Sequence, residues 1–78
     1  MFYTYVLESV TDKKLYIGFT QDLKKRFYEH NQGLVQATKS RRPLILLYYE
    51  ACLNESKAIK REKYFKSGFG RRFLKERV

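Results

Sequence analysis

The chain has no tryptophan, and only one cysteine, one proline, one histidine and four glycines in 78 residues. A single cysteine excludes an intramolecular disulfide, and the absence of a disulfide framework fits a reducing, cytoplasmic compartment. Cys52 lies in an apolar stretch and reads as a small core residue. One histidine and one cysteine, far apart, leave no zinc-ligand cluster and no protease-like pair. The few glycines form neither a phosphate-cradling loop nor a dinucleotide fingerprint. No apolar run approaches the roughly 18 to 20 residues of a membrane span. Met1 is followed at once by a strand-like segment without a basic n-region, so no secretory signal is expected. With no repeat, linker or low-complexity tract, residues 1–78 are expected to form one domain.

Acidic residues are also scarce. Eight Asp and Glu face seventeen Lys and Arg, a formal net charge of +9 and a pI near 9.9. Such an excess repels itself in a compact chain and favours a polyanionic partner. A merely basic soluble domain is the plain alternative, and an anionic membrane surface is a weaker one. Aromatic residues make up 17% of the chain, seven Tyr and six Phe. Each buries a large area, which offsets the limited core of so small a domain.

The hydrophobic pattern predicts the order β-β-α-β-α-α. Phe2 to Glu8 is rich in Tyr, Phe, Val and Thr, apolar on both faces, and reads as a central strand. A short polar turn leads to a second strand, Leu15 to Phe19, as an antiparallel hairpin. Thr20 is the expected N-cap of a helix from Gln21 to Asn31, stopped by Gly33. Leu34 to Arg42 is a loop, and the apolar run from Leu44 to Ala51 is a third strand with Pro43 at its start. Asn54 caps a helix from Glu55 to about Lys66, ended by Gly68, and Gly70 opens a last short helix anchored by Phe73 and Leu74. The expected architecture is α+β, a small three-stranded antiparallel sheet flanked by helices.

A few polar residues stand apart from this pattern. Glu62 shares the inward side of its helix with Ala58 and Phe65, while Lys57, Lys60, Arg61 and Lys63 are expected outside. An inward acid is costly unless it is paired or binds a cation. An ordinary salt bridge to Lys66 or Arg61 would account for it equally. Arg26 and His30 flank the Leu23/Phe27 stripe of the first helix. Each has a bland reading, a snorkelling stem for Arg26 and a hydrogen-bonded helix end for His30. Arginine is also the residue that phosphoryl chemistry uses to hold phosphate oxygens. The hairpin can set Tyr5 beside Tyr16, and Gly18 shares the face of Tyr16, where a glycine permits close approach of a backbone or ligand. A tyrosine hydroxyl near a cation could orient or deprotonate a water. Tyr48 and Tyr49 point to opposite faces, as core and rim.

With these residues in order, the sequence resembles a GIY-YIG nuclease domain of the small stand-alone bacterial type. Tyr16-Ile17-Gly18 is the second half of the name motif, and Tyr3-Thr4-Tyr5 stands where Gly-Ile-Tyr would be, with only the tyrosine matching. Arg26 matches the helical arginine, His30 a histidine common in the stand-alone branch, and Glu62 the metal-binding glutamate. The resemblance implies one divalent cation, Mg2+ or alternatively Mn2+, held by Glu62, substrate phosphate oxygens and water. It implies that Arg26 stabilises charge on the scissile phosphate, that Tyr5 or Tyr16 takes a proton from the attacking water, and that His30 assists. Tyr5, Tyr16, Arg26 and Glu62 would then meet on one concave surface.

The expected activity is metal-dependent endonucleolytic hydrolysis of DNA, with low sequence specificity, a possible preference for branched or damaged structures and a link to repair or recombination. Without an appended targeting domain, affinity would come from Gly18 at the site and from basic residues. These are Lys39, Arg41 and Arg42 of the loop, Lys60, Lys63 and Lys66 of the second helix, and Arg71 and Arg72. Such contacts fix a backbone without reading sequence and weaken with salt. The competing reading is a nucleic-acid-binding module, for DNA or RNA, that cleaves poorly or not at all. A basic interaction protein is a third. No residue argues for a particular oligomeric state.

Overall fold

The computed structural model describes all 78 residues. Three strands form one antiparallel sheet in the order β2-β1-β3, with β1 at Phe2–Ser9, β2 at Leu15–Thr20 and β3 at Leu44–Cys52. The central place of β1 follows from its composition. Thr4 through Leu7 are all buried, which only a strand covered on both faces allows. Helix α1 (Leu23–Asn31) packs on the face carrying Tyr5, Leu7 and Leu44, through Leu23 and Phe27. Helices α2 (Glu55–Phe65) and α3 (Gly68–Lys75) cover the other face, where Val6, Ile17, Phe65 and Leu74 form the core. A side-chain bond from Thr4 Oγ1 to the Ala58 carbonyl, 2.8 Å, pins β1 to α2. The α+β architecture expected from the pattern is therefore the one observed.

Several local expectations are corrected. The N-cap of α1 is Asp22, whose carboxylate accepts the Lys25 N–H at 3.1 Å. Thr20 remains the last residue of β2, and its hydroxyl accepts the Asp22 N–H instead. With Thr20 held in the strand, Asp22 is left to cap the helix, where its ionised side chain also meets the positive helix end. Gly68 does not merely end α2. Ser67 caps α3 through the Gly70 N–H at 3.2 Å, and α3 starts at Gly68. Gly70 sits inside the helix, where a Cβ would collide with the Tyr64 carbonyl and the Phe65 backbone. The loop after α1 contains one 3-10 turn, Lys39–Arg41.

Arg61 is only partly outward, with 37% of its side chain exposed. Its guanidinium makes two 2.8 Å bonds to Glu50 and lies over the rings of Tyr64, Phe65 and Phe73. Tyr48 adds a 2.8 Å bond to the same carboxylate, so β3, α2 and α3 are tied at one point. Tyr48 packs against the core and Tyr49 stands at the rim, opposite faces as the strand period requires.

Candidate active site

The register sets Tyr5 opposite Gly18 and Leu7 opposite Tyr16, so the two tyrosines lie diagonally on the face under α1. Gly18 is required by Tyr5, not by a ligand. A Cβ at residue 18 would overlap the Tyr5 ring and hydroxyl, and the glycine is buried beneath them. That removes Gly18 as a nucleic-acid contact.

Tyr5 is 1% exposed, and its hydroxyl is 2.9 Å from His30 Nε2. His30 Nδ1 is in turn 2.7 Å from Thr38 Oγ1, and both His30 and Thr38 are fully buried. The Tyr5 and Tyr16 rings both meet the His30 ring edge-on, at 5.6 and 5.1 Å between centroids. Burial first, and the nearby Arg26 charge second, push the His30 imidazole down to about 4, against a smaller opposing pull from Glu29. His30 is therefore neutral at pH 7 and touches Tyr5 and Thr38 rather than solvent. Burial also raises the Tyr5 phenol to about 12, with Arg26 pulling it down and Tyr16 and Glu62 pushing it up. Tyr5 is thus a protonated phenol at neutral pH, and an unassisted base it is not.

Arg26 comes from the middle of α1, beside the Tyr5 hydroxyl, with 38% of its side chain exposed. One arm donates to Glu29 Oε1 at 3.3 Å. Its outer side opens into a cleft of about 340 Å³ lined by Phe19, Thr20, Gln21, Asp22, Lys25, Arg26 and Glu29. Lys25, an exposed lysine of α1, also belongs to this cleft. The basic run Lys24-Lys25-Arg26 was the available signal. Thr38 had none, since it reaches His30 only through the folded loop.

Glu62 stands apart from the other four. It is on α2, in the layer packed on the opposite face of the sheet from α1. Its side chain is 22% exposed and is paired with Lys66 at 3.3 Å, the i,i+4 bridge that the sequence allowed. Tyr5, Tyr16, Arg26 and His30 share one face, then, while Glu62 belongs to the other layer. No group of three or more His, Cys, Asp and Glu gathers anywhere. A lone hard carboxylate does fit magnesium, which keeps most of its water and takes phosphate oxygens.

Of the basic residues singled out, Lys39, Arg42, Lys60, Lys63, Lys66, Arg71 and Arg72 are exposed. Arg41 is committed to the fold, bonded to Asp12 at 3.2 Å and to the Lys14 carbonyl at 2.9 Å. It braces the hairpin turn and is not free for a phosphate. No helix is long and apolar enough to cross a membrane.

The chain belongs to the GIY-YIG family: the family model described as "GIY-YIG catalytic domain" matches residues 1–75. The chain is 49% identical over 65 residues to UPF0213 protein SpyM3_1077 of Streptococcus pyogenes serotype M3, spanning 82% of this chain and 70% of that protein. A 48% identical relative, UPF0213 protein SpyM50708 of serotype M5, is matched over the same shares. Among solved structures, the solution structure of UPF0213 protein BH0048 from Bacillus halodurans superposes with a TM-score of 0.60. It is 29% identical and covers 97% of this chain and 84% of that one.

Proposed function

We propose that this domain is a metal-dependent endonuclease that hydrolyses DNA phosphodiester bonds with low sequence specificity. One observation carries the reading beyond the family. The Tyr5 hydroxyl lies against His30 and beside the partly exposed Arg26, and the Tyr16 ring meets the same histidine, so residues from β1, β2 and α1 converge on one arginine. Pure binding to a polyanion does not require a buried phenol and a second tyrosine gathered beside an arginine.

Each residue has a role that its surroundings support. Arg26 offers the unpaired part of its fork to the non-bridging oxygens of the scissile phosphate and holds the charge that builds there. Tyr16, half-buried and against His30, orients the attacking water. It suits that role better than Tyr5, which is sealed from solvent. Tyr5 holds its proton and presents a fixed dipole to the site, locked by His30 and Thr38. Glu62 would hold a magnesium ion, releasing Lys66; when bound, the ion supplies Lewis-acid stabilisation of phosphate charge. The water oxygen bonds to phosphorus as its proton passes by way of the Tyr16 hydroxyl to solvent, and the bond to the 3′ oxygen breaks as that oxygen takes a proton from solvent, leaving a 5′-phosphate and a 3′-hydroxyl. The exposed lysines and arginines hold the backbone.

Incubation with end-labelled DNA and RNA, with magnesium or with chelator, tests this. The expected result is magnesium-dependent cutting of DNA into ends that a DNA ligase rejoins without end repair. Intact DNA under every condition would overturn it.

A further inference from the structure

A second cleft, of about 460 Å³, opens beside the candidate site and plays no part in the chemistry above. Tyr3, Leu23, Phe27, Leu46 and Tyr49 line its apolar wall, and Gln21, Asp22 and Lys24 its rim. It shares Gln21 and Asp22 with the cleft that holds Arg26, so the two adjoin. Tyr49 is paired directly opposite Tyr5 on the sheet, and Tyr3 is two residues away on the same face. The aromatic cleft thus begins one residue from the reacting corner.

We propose that this cleft is a nucleobase subsite, which takes one unstacked base of a single-stranded segment next to the scissile phosphate. It rests on the nuclease reading and narrows its substrate to DNA with unpaired nucleotides, such as a single strand or a branch. Three observations support it. Tyr49 is 52% exposed and tilted at 59° to the Tyr3 ring, 6.1 Å away, so a large aromatic face is left open to solvent. Phe27 and Leu23 supply further apolar surface from α1. Aromatic faces of this kind stack bases without regard to sequence, and a groove of positive charge beside them tracks the backbone.

The charges run the right way for that occupant. Lys24, Lys25 and Arg26 follow one another from the aromatic cleft into the phosphate cleft. The phosphates lie on this side and the base turns inward towards Tyr49. Asp22, the one acid in the rim, caps α1 through the Lys25 N–H at 3.1 Å. Its second oxygen and the Gln21 amide can meet donors and acceptors on a base edge, whereas a phosphate there would be repelled.

The test is binding, read by fluorescence anisotropy in chelator so that no DNA is cut. A short single-stranded DNA carries one abasic position, walked along its length. In the wild type, one position loses about tenfold or more in affinity when its base is removed, the scale of base–aromatic stacking. Tyr49→Ala is expected to bind the intact strand about tenfold more weakly and to be indifferent to that abasic position, the signature of a coupled pair. Tyr49→Phe, which keeps the ring, restores the wild-type pattern, and duplex binding changes little in either variant. Tyr49 is a rim residue, so both variants are expected to fold, and circular dichroism checks this. Equal loss at every abasic position, or Tyr49→Ala binding as the wild type does, overturns the subsite whether or not the DNA can be cut. A wild type that shows the expected pattern but never cleaves with magnesium supports the subsite and sinks the nuclease reading alone.

Discussion

His30 shows how much a single side chain owes to its burial. A neutral imidazole held near 4 in the fold and at the ordinary 6.5 when unfolded binds fewer protons in the native state. The depressed value therefore contributes stability that is complete above pH 6.5 and lost as pH falls towards 4. Urea denaturation across this window should show stability falling by up to about 1.4 kcal/mol per pH unit from this group. His30→Asn, which cannot titrate, should be less stable at pH 7 and should lack that part of the slope. An identical slope in the variant would mean that His30 is not held neutral by its surroundings. The sequence marked His30 as inward of the helix surface, from its spacing beside Leu23 and Phe27. It could not show that Tyr5 and Thr38 satisfy both ring nitrogens, because those partners come from β1 and from a loop with no regular pattern.

At the level of elements, the hairpin and the central strand were readable because alternating aromatic and β-branched residues admit few other placements. The seam between α2 and α3 was not. Its geometry depends on Gly70 meeting the Tyr64 carbonyl and on Arg61 clasping Glu50 across the fold. In sequence, Arg61 looks like any lysine or arginine on a basic helix, and a glycine looks like a stop. Gly70→Ala should cost about 1 to 3 kcal/mol, since the methyl meets backbone that cannot give way. Thermal unfolding would show it as a lowered midpoint, larger than for Gly68→Ala, where a Cβ meets open space. Equal effects would refute the close approach of the two helices. The corrected cap of α1 has a similar origin: Thr20 and Asp22 are both good caps, and only the end of β2 decides between them.

The molecule as a whole carries its charge unevenly with respect to its chemistry. Most of the +9 lies on exposed lysines and arginines of α2, α3 and the loop before β3, while the tyrosine, histidine and arginine constellation sits under α1. The motif residues were identifiable in the chain because each matches a family position. What the fold adds is that four of them share one face and that the fifth, Glu62, comes from the opposite layer and is held by Lys66. The sharpest claim is that these two layers nonetheless serve one reaction. Single-turnover cleavage of a labelled branched DNA, at saturating protein with magnesium, tests it. Arg26→Ala and Glu62→Gln should each cut at least about 100-fold more slowly, the scale of losing one charge-stabilising group, while keeping native circular dichroism, and Glu62→Gln should also keep near-normal DNA binding in chelator. Glu62→Gln cutting at the wild-type rate would contradict the account, because the carboxylate beyond the sheet would then be an ordinary partner of Lys66.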